Sequence, residues 1–306
     1  MRWLHSWLPV VLISTVTLSC SGAGSKPPSD GAAATIVIGS KNFTEQVLLG
    51  EILATLVESR TSLRVDRRFD LGGTFVCHKA LTAGELDLYV EYTGTALSAI
   101  LSEPPGGQPD AVFTRVAAEY ARRFDLTWLP PLGFNNSFAM VVRSEDAVNH
   151  SLSRISDLAR VADTFRAGFG YEFIERADGY EGLAATYWFK FLRRPREMDL
   201  GLIYRALAGH EVDVVVGNST DGMIDSLGLV VLEDDLRYFP PYDAAPVARA
   251  ATLALHPELR QLLGQLGGRI TAEQMRAMNR EADIDHRSSH AIAVEFLETA
   301  GLYARR

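Results

Sequence analysis

At 306 residues the chain is long enough for two ordinary domains. Apolar residues make up 47% and charged residues 22%, the composition of a packed globular protein, which excludes wholesale disorder. A formal charge of -8, with no basic stripe, argues against nucleic acid as a partner.

The N-terminus carries an address. Arg2 precedes an apolar run over residues 8–18, too short to span a bilayer but right for the core of a signal peptide. The run ends at Thr17-Leu18-Ser19-Cys20, which resembles a bacterial lipoprotein signal, with Thr17 where such signals usually carry Leu. Residues 1–20 are therefore expected to be a signal segment, with Cys20 as the lipid anchor of an exported protein. An ordinary secretory signal cut nearby is the alternative. Residues 21–34 are small and Pro-containing, a tether with no reason to fold. Cys77 is the one other cysteine, so the mature chain has no intrachain disulfide available.

The folded part opens with Thr35-Ile36-Val37-Ile38-Gly39, an apolar strand, and Ser40-Lys41-Asn42 turns it into a helix. In that helix Val47, Leu48, Ile52, Leu53 and Leu56 recur at helical spacing. A second strand over residues 63–67 runs into Leu71-Gly72-Gly73-Thr74 and a helix through Ala83. A third is Leu88-Tyr89-Val90-Glu91-Tyr92, followed by Thr93-Gly94-Thr95 and another helix. Strand–turn–helix repeated three times predicts a parallel, helix-covered sheet, whose ligands sit at the carboxyl ends of its strands. All three turns fall there. Such turns leave N–H groups and hydroxyls free for an anion, and Tyr92 offers an aromatic face. Packing of Tyr89 and Tyr92 and helix capping by Thr93 or Thr95 is the competing reading.

A helix is expected over residues 110–124, a domain crossing near Phe134, and a strand from Phe138. Alternation then resumes, with strands over 165–170 and 212–216, a loop carrying Arg176, and a return strand over 230–232. Phe239-Pro240-Pro241-Tyr242 breaks the chain before a further strand or loop and three C-terminal helices. The expected domains are residues 35–134 with 231–306 as the first lobe and 135–230 as the second. Two α/β lobes joined by two crossings describe a hinged, ligand-clamping architecture.

The chemistry of an enzyme is missing. There is no phosphate-cradling Gly-Lys-Ser/Thr loop and no nucleophile elbow. Cys77 and His78 are neighbours on a predicted helix and point apart, a poor nucleophile–base pair. His286 and His290 lack the intervening glutamate and the third ligand of a metal site. Neither cofactor nor metal is expected, and no enzyme.

Gly39-Ser40-Lys41-Asn42-Phe43-Thr44-Glu45-Gln46, Leu71-Gly72-Gly73-Thr74, Leu88-Tyr89-Val90-Glu91-Tyr92-Thr93-Gly94-Thr95 and Pro240-Pro241-Tyr242-Asp243 together resemble the glycine betaine/choline (osmoprotectant) substrate-binding proteins of ABC importers. The similarity runs over residues 36–302. It implies the type II periplasmic-binding-protein fold, an α/β fold of two lobes on a two-crossing hinge. It also implies a quaternary ammonium held among aromatic faces from both lobes, which attract a cation unable to donate ordinary hydrogen bonds. Carried over by position, Lys41, Thr95 and Arg176 match the carboxylate side, and Tyr92 and Tyr204 two tyrosines of the box. Phe138 stands where another tyrosine is common, Asn136 where some members have aspartate, and Asn218 where the last box tyrosine is expected. Thr74, in the second turn, is counted with the site. Core packing is the alternative role for Phe138 and Tyr204, a turn for Asn218 and a surface ion pair for Arg176.

The resemblance implies an extracytoplasmic monomer that hands a small zwitterion or quaternary ammonium to a membrane permease. Another zwitterion, such as a modified or ordinary amino acid, and a sensory receptor signalling to a membrane partner are the alternatives.

Overall fold

A computed structural model describes residues 34–304, so Cys20 and the expected signal segment lie outside the described residues. In the first lobe β1 (Thr35–Gly39) turns Ile36 and Ile38 into the core and pairs in parallel with β2 (Arg64–Arg68) and β3 (Leu88–Tyr92). β2 reads Arg-Val-Asp-Arg-Arg, the charged composition suited to its place at a sheet edge. β3 is buried at all five positions, the interior strand its apolar sequence predicts. The helix α1 (Thr44–Arg60) presses Leu48, Leu49, Ile52, Leu53 and Leu56 onto this sheet. α2 (Thr74–Ala83) follows β2 and stops at Gly84, which takes the left-handed conformation that favours glycine.

β4 (Leu126–Trp128) closes the first pass, and the chain crosses to a second sheet made of β5 (Phe138–Arg143), β6 (Ala167–Gly170), β7 (Arg196–Met198), β8 (Val214–Asn218) and β9 (Leu229–Val231). It then returns as β10 (Ala244–Arg249), and the helices Ala250–Leu255, Glu258–Gly264, Ala272–Asp283 and Ser289–Thr299 cover the first lobe. The strand orders are β2-β1-β3-β10-β4 and β7-β6-β8-β5-β9.

Several expectations need correction. The sheets are mixed, because the strand arriving from each crossing, β10 in one lobe and β5 in the other, runs antiparallel to its neighbours. The return strand β9 belongs to the second sheet, and Leu232 packs in the second core, so that lobe continues past residue 231 and the return falls at Pro240–Asp243. Four C-terminal helices stand in place of three, while Arg176 does lie in a loop, as the extended residue that follows the short helix Tyr171–Glu175.

The two crossings are tied together. Asn136 donates its backbone N–H to Tyr242 O (3.0 Å), Asn135 and Asp243 form an isolated antiparallel bridge, and Thr93 donates its backbone N–H to Asp243 O and its hydroxyl to Pro241 O. The approach to this ribbon depends on Gly133. Its φ is +119°, and an added Cβ would stand 2.9 Å from the backbone of Gly268 and from Ile270 O. Gly133→Ala should therefore cost about 1–3 kcal/mol in denaturant unfolding, from backbone strain together with a clash against main chain that cannot rotate away. Unchanged stability would show that the 133–134 segment can shift freely.

Candidate functional site

Between the lobes lies a cavity of ≈ 580 Å³, within the size range of small-molecule sites. Its aromatic lining comes from every part of the clamp: Phe43 and Tyr92 from the first lobe, Phe138 and Phe173 from the second, and Tyr242 from the return crossing. Phe138 is the centre of this group, with ring centroids 4.9 Å from Phe173 and 5.6 Å from Tyr242. Edge-on packing of this kind fixes the rings and leaves faces exposed to a guest. Gly94 permits Tyr242 to sit there, since a Cβ on it would lie 2.7 Å from the ring.

Two buried cations stand beside the rings, each already paired. Lys41 Nζ donates to Glu91 Oε1 (2.5 Å) and to Thr74 Oγ1 (2.9 Å), and lies 5.1 Å from the Tyr92 ring centroid. Arg176 donates Nε to Asp178 Oδ1 (2.8 Å) and Nη2 to Asp178 Oδ2 (2.5 Å), and its Nη1 reaches Thr95 Oγ1 (3.1 Å). Its guanidinium carbon is 5.1 Å from the Phe138 centroid, and Tyr242 donates its hydroxyl to the same Asp178 (2.7 Å). Arg176 is thus no surface ion pair. Asp178, two residues on, takes the Nε–Nη2 edge of the guanidinium, so a ligand carboxylate would have to approach the Nη1–Nη2 end.

Seven of the residues singled out in the sequence line the cavity: Lys41, Tyr92, Thr95, Asn136, Phe138, Arg176 and Asn218. Two do not. Thr74 sits behind Lys41, fully buried, its hydroxyl accepting from the ammonium. Tyr204 lies beneath Gly217, where a Cβ would meet its hydroxyl oxygen at 1.7 Å, and it donates to Asp221 Oδ2 (2.5 Å). Tyr204 packs with Val215 and Ile203 in the interior of the second lobe, beneath β8 rather than on the cavity wall. Asn218 is the last residue of β8, paired with Phe138, and not a left-handed turn residue.

Asn136 has a pointed feature. Its Nδ2 donates to Glu45 Oε1 (2.7 Å), while its Oδ1, also buried, has no hydrogen-bond partner. Glu45 accepts as well from the Tyr92 hydroxyl (2.6 Å), from Thr220 Oγ1 and from Asn279 Nδ2, and burial raises its pKa against the pull of these donors. Tyr242, Glu45, Glu91, Asp178 and the strip Glu197–Leu200 were not assigned from sequence. Tyr242, Glu45 and Glu91 stand inside the quoted motifs, and Asp178 follows Arg176 at i+2, so these four had a local signal. The strip had none.

Residues 34–299 match the model of the substrate-binding domain of ABC-type glycine betaine transport systems. The chain belongs to that family. This substrate-binding domain is 35% identical over 290 residues to the carnitine transport binding protein of Listeria monocytogenes, with 94% of each chain covered. It is 36% identical over 268 residues to the ergothioneine transport permease/ergothioneine binding protein of Helicobacter pylori, covering 87% of this chain and 48% of that one. A crystal structure of a glycine betaine/carnitine/choline ABC transporter protein superposes with a TM-score of 0.71 at 33% identity, covering 87% of this chain and 99% of its own. Among the described residues no helix is long and apolar enough to cross a membrane, and no cluster of residues could hold a metal ion. Burial pushes the Cys77 thiol up to about 12, so it is not a thiolate at neutral pH.

The buried Arg176–Asp178 pair and the buried Asp221 carboxyl each have an expected outcome. Arg176→Ala leaves Asp178 buried without its counter-ion and should destabilise the domain by about 3–5 kcal/mol, much of it recovered when Asp178→Asn is added. Unfolding curves of the single and double variants check this; a single variant as stable as wild type would remove the pair from the fold's support.

Asp221 is partly exposed as a residue, but its carboxyl lies among the Tyr204 hydroxyl, the Asn218 N–H and the second-lobe interior, and burial pushes it from 3.8 up to about 6. Because folding raises this pKa, the folded state keeps a proton that the unfolded chain loses between about pH 4 and 6, so this group's contribution to stability falls as pH rises through that window. Asp221→Asn keeps an acceptor for both donors and should gain stability over wild type by about 1–2 kcal/mol at pH 7.5 but not at pH 4. Parallel pH profiles for the two proteins would contradict it.

Proposed function

We propose that the protein is the extracytoplasmic receptor of an ABC importer, that it is tethered to the membrane through a lipid on Cys20, and that it delivers a small quaternary-ammonium or zwitterionic solute to the permease as a monomer. The observation that carries this reading is the inter-lobe cavity, with aromatic faces from both lobes and one crossing around it and two internally paired cations at its polar end. Aromatic faces contribute roughly 0.5–2 kcal/mol each toward a cation that cannot donate hydrogen bonds. There is no chemical step; binding energy is spent on holding the lobes together around the solute.

The polar lining supports a ligand with more reach than glycine betaine. Asn136 Oδ1 is buried without a partner, and leaving such an acceptor unsatisfied costs about 1–3 kcal/mol. Asn218 adds a second amide to the lining. A trimethylammonium offers no donor to either, whereas a ligand with an added hydroxyl, amine or ring N–H does.

A thermal-shift panel of glycine betaine, choline, carnitine and ergothioneine, run on residues 34–306, tests both levels, since a ligand that binds only the folded state raises the melting temperature. We expect a shift from at least one, and larger shifts from donor-bearing ligands than from glycine betaine. No shift from any of the four would defeat the ligand class. Asn218→Tyr should improve glycine betaine affinity by roughly 0.5–2 kcal/mol, the value of one added ring face. Tight betaine binding by the unmodified protein, with no gain in the variant, would return the simple osmoprotectant reading to first place.

The tether has its own test. Cys20→Ser should release the protein from membranes or stall its processing, and an unchanged membrane fraction would count against lipidation.

A further inference from the structure

Glu172 reaches across the cleft from the second lobe and ends on the first. Its Oε1 accepts the backbone N–H of Thr74, and its Oε2 accepts the Thr74 hydroxyl at 3.1 Å. That N–H is the first of the ten-residue helix α2, where the helix dipole favours an anion. Space for the carboxylate comes from Gly73: a Cβ there would lie 2.1 Å from Oε1. The side chain lines the cavity, and its charge is felt at Arg176.

The charge at this end of the cavity follows from the pairing. Lys41 is offset by Glu91 and Arg176 by Asp178, so neither cation brings net positive charge to a guest. Among the described residues Glu172 is then a carboxylate with no counter-ion of its own within ion-pair distance, placed on the Thr74 donors that an anionic guest would use. A second carboxylate there finds the Thr74 donors taken and meets like-charge repulsion. A quaternary ammonium without a carboxylate meets the opposite: a negative field and aromatic faces.

We propose that Glu172 selects the charge class of the ligand, holding the cavity for cations that lack a carboxylate and yielding only when a zwitterion's carboxylate takes over the Thr74 donors. The proposal rests on the ligand class argued above. It adds a residue of the second lobe as the discriminator, where the resemblance places the anion site on Lys41, Thr95 and Arg176.

Calorimetric titration of choline and of glycine betaine into wild type, Glu172→Gln, Glu172→Asp and Gly73→Ala tests it, with melting curves to confirm that each variant folds. Glu172→Gln should shift the ratio of the two affinities toward glycine betaine by about tenfold or more, the scale of one charged hydrogen bond. Glu172→Asp keeps the charge and should keep the preference for choline, even where both affinities drop. Gly73→Ala displaces the carboxylate from Thr74 and should move the ratio in the direction of Glu172→Gln. An unchanged ratio in Glu172→Gln, or equal losses for both ligands in the Gln and Asp variants, overturns the proposal and leaves Glu172 a structural strut. Binding of neither ligand to any form overturns the ligand-class reading instead, and this proposal with it.

Discussion

The lobes meet over one buried carboxylate. Glu45, at the start of α1, receives hydrogen bonds from Tyr92 in β3, Asn136 in the first crossing, Thr220 just beyond β8 and Asn279 in the helix Ala272–Asp283. A carboxylate taken out of water without partners costs several kcal/mol, and this one is tolerated because four donors converge on its two oxygens. Those donors lie up to 234 residues away in the chain, so the contact ties both lobes and one crossing together in this conformation. It also holds two cavity residues by their polar ends, the Tyr92 hydroxyl and the Asn136 amide nitrogen.

The same economy governs the rest of the site. Every buried charge next to the cavity is answered inside the protein: Lys41 by Glu91, Arg176 by Asp178. Buried pairs of this kind add little net stability, but breaking one is expensive, so they act as a rigid polar floor. On that floor the rings of Phe138 and Tyr242 stand at 74° to one another, and the Arg176 guanidinium lies against both. Electrostatic recognition is consequently left to groups whose charge is not consumed locally.

The first lobe was legible because each of its site residues sits in a strand–turn–helix unit that the local pattern reveals; Lys41, Thr95 and the turn at Gly72-Gly73-Thr74 needed no distant contact to be placed. What the pattern could not tell was whether a charged side chain is free. Arg176 reads as a ligand clamp from sequence, and only the structure shows that Asp178 already holds one edge of it. Tyr204 was misplaced because the helix Ile203–Ala208 directs it under β8, and helical periodicity shows that a face is buried without showing in what. β4 and β7 are three residues each, too short for alternation to register, and with β7 went the Glu197–Leu200 lip. Glu172 is visible only when Thr74, 98 residues earlier, is beside it.

The backbone ribbon formed by the two crossings limits how the clamp can move. So long as Asn136 and Tyr242 remain bonded and Asn135 and Asp243 bridged, one lobe can turn about that ribbon but cannot slide past the other. Residues on the ribbon, Asn136 and Tyr242 among them, then lie close to the axis and change their mutual distance little. Phe75 on α2 and Tyr171 at the start of the second-lobe helix, 50% and 57% exposed, stand at the outer lips, away from that axis. The contacts that stay assembled as the lobes part are those on the ribbon itself, so an entering solute meets Asn136 and Tyr242 before the faces of the two lobes close on it.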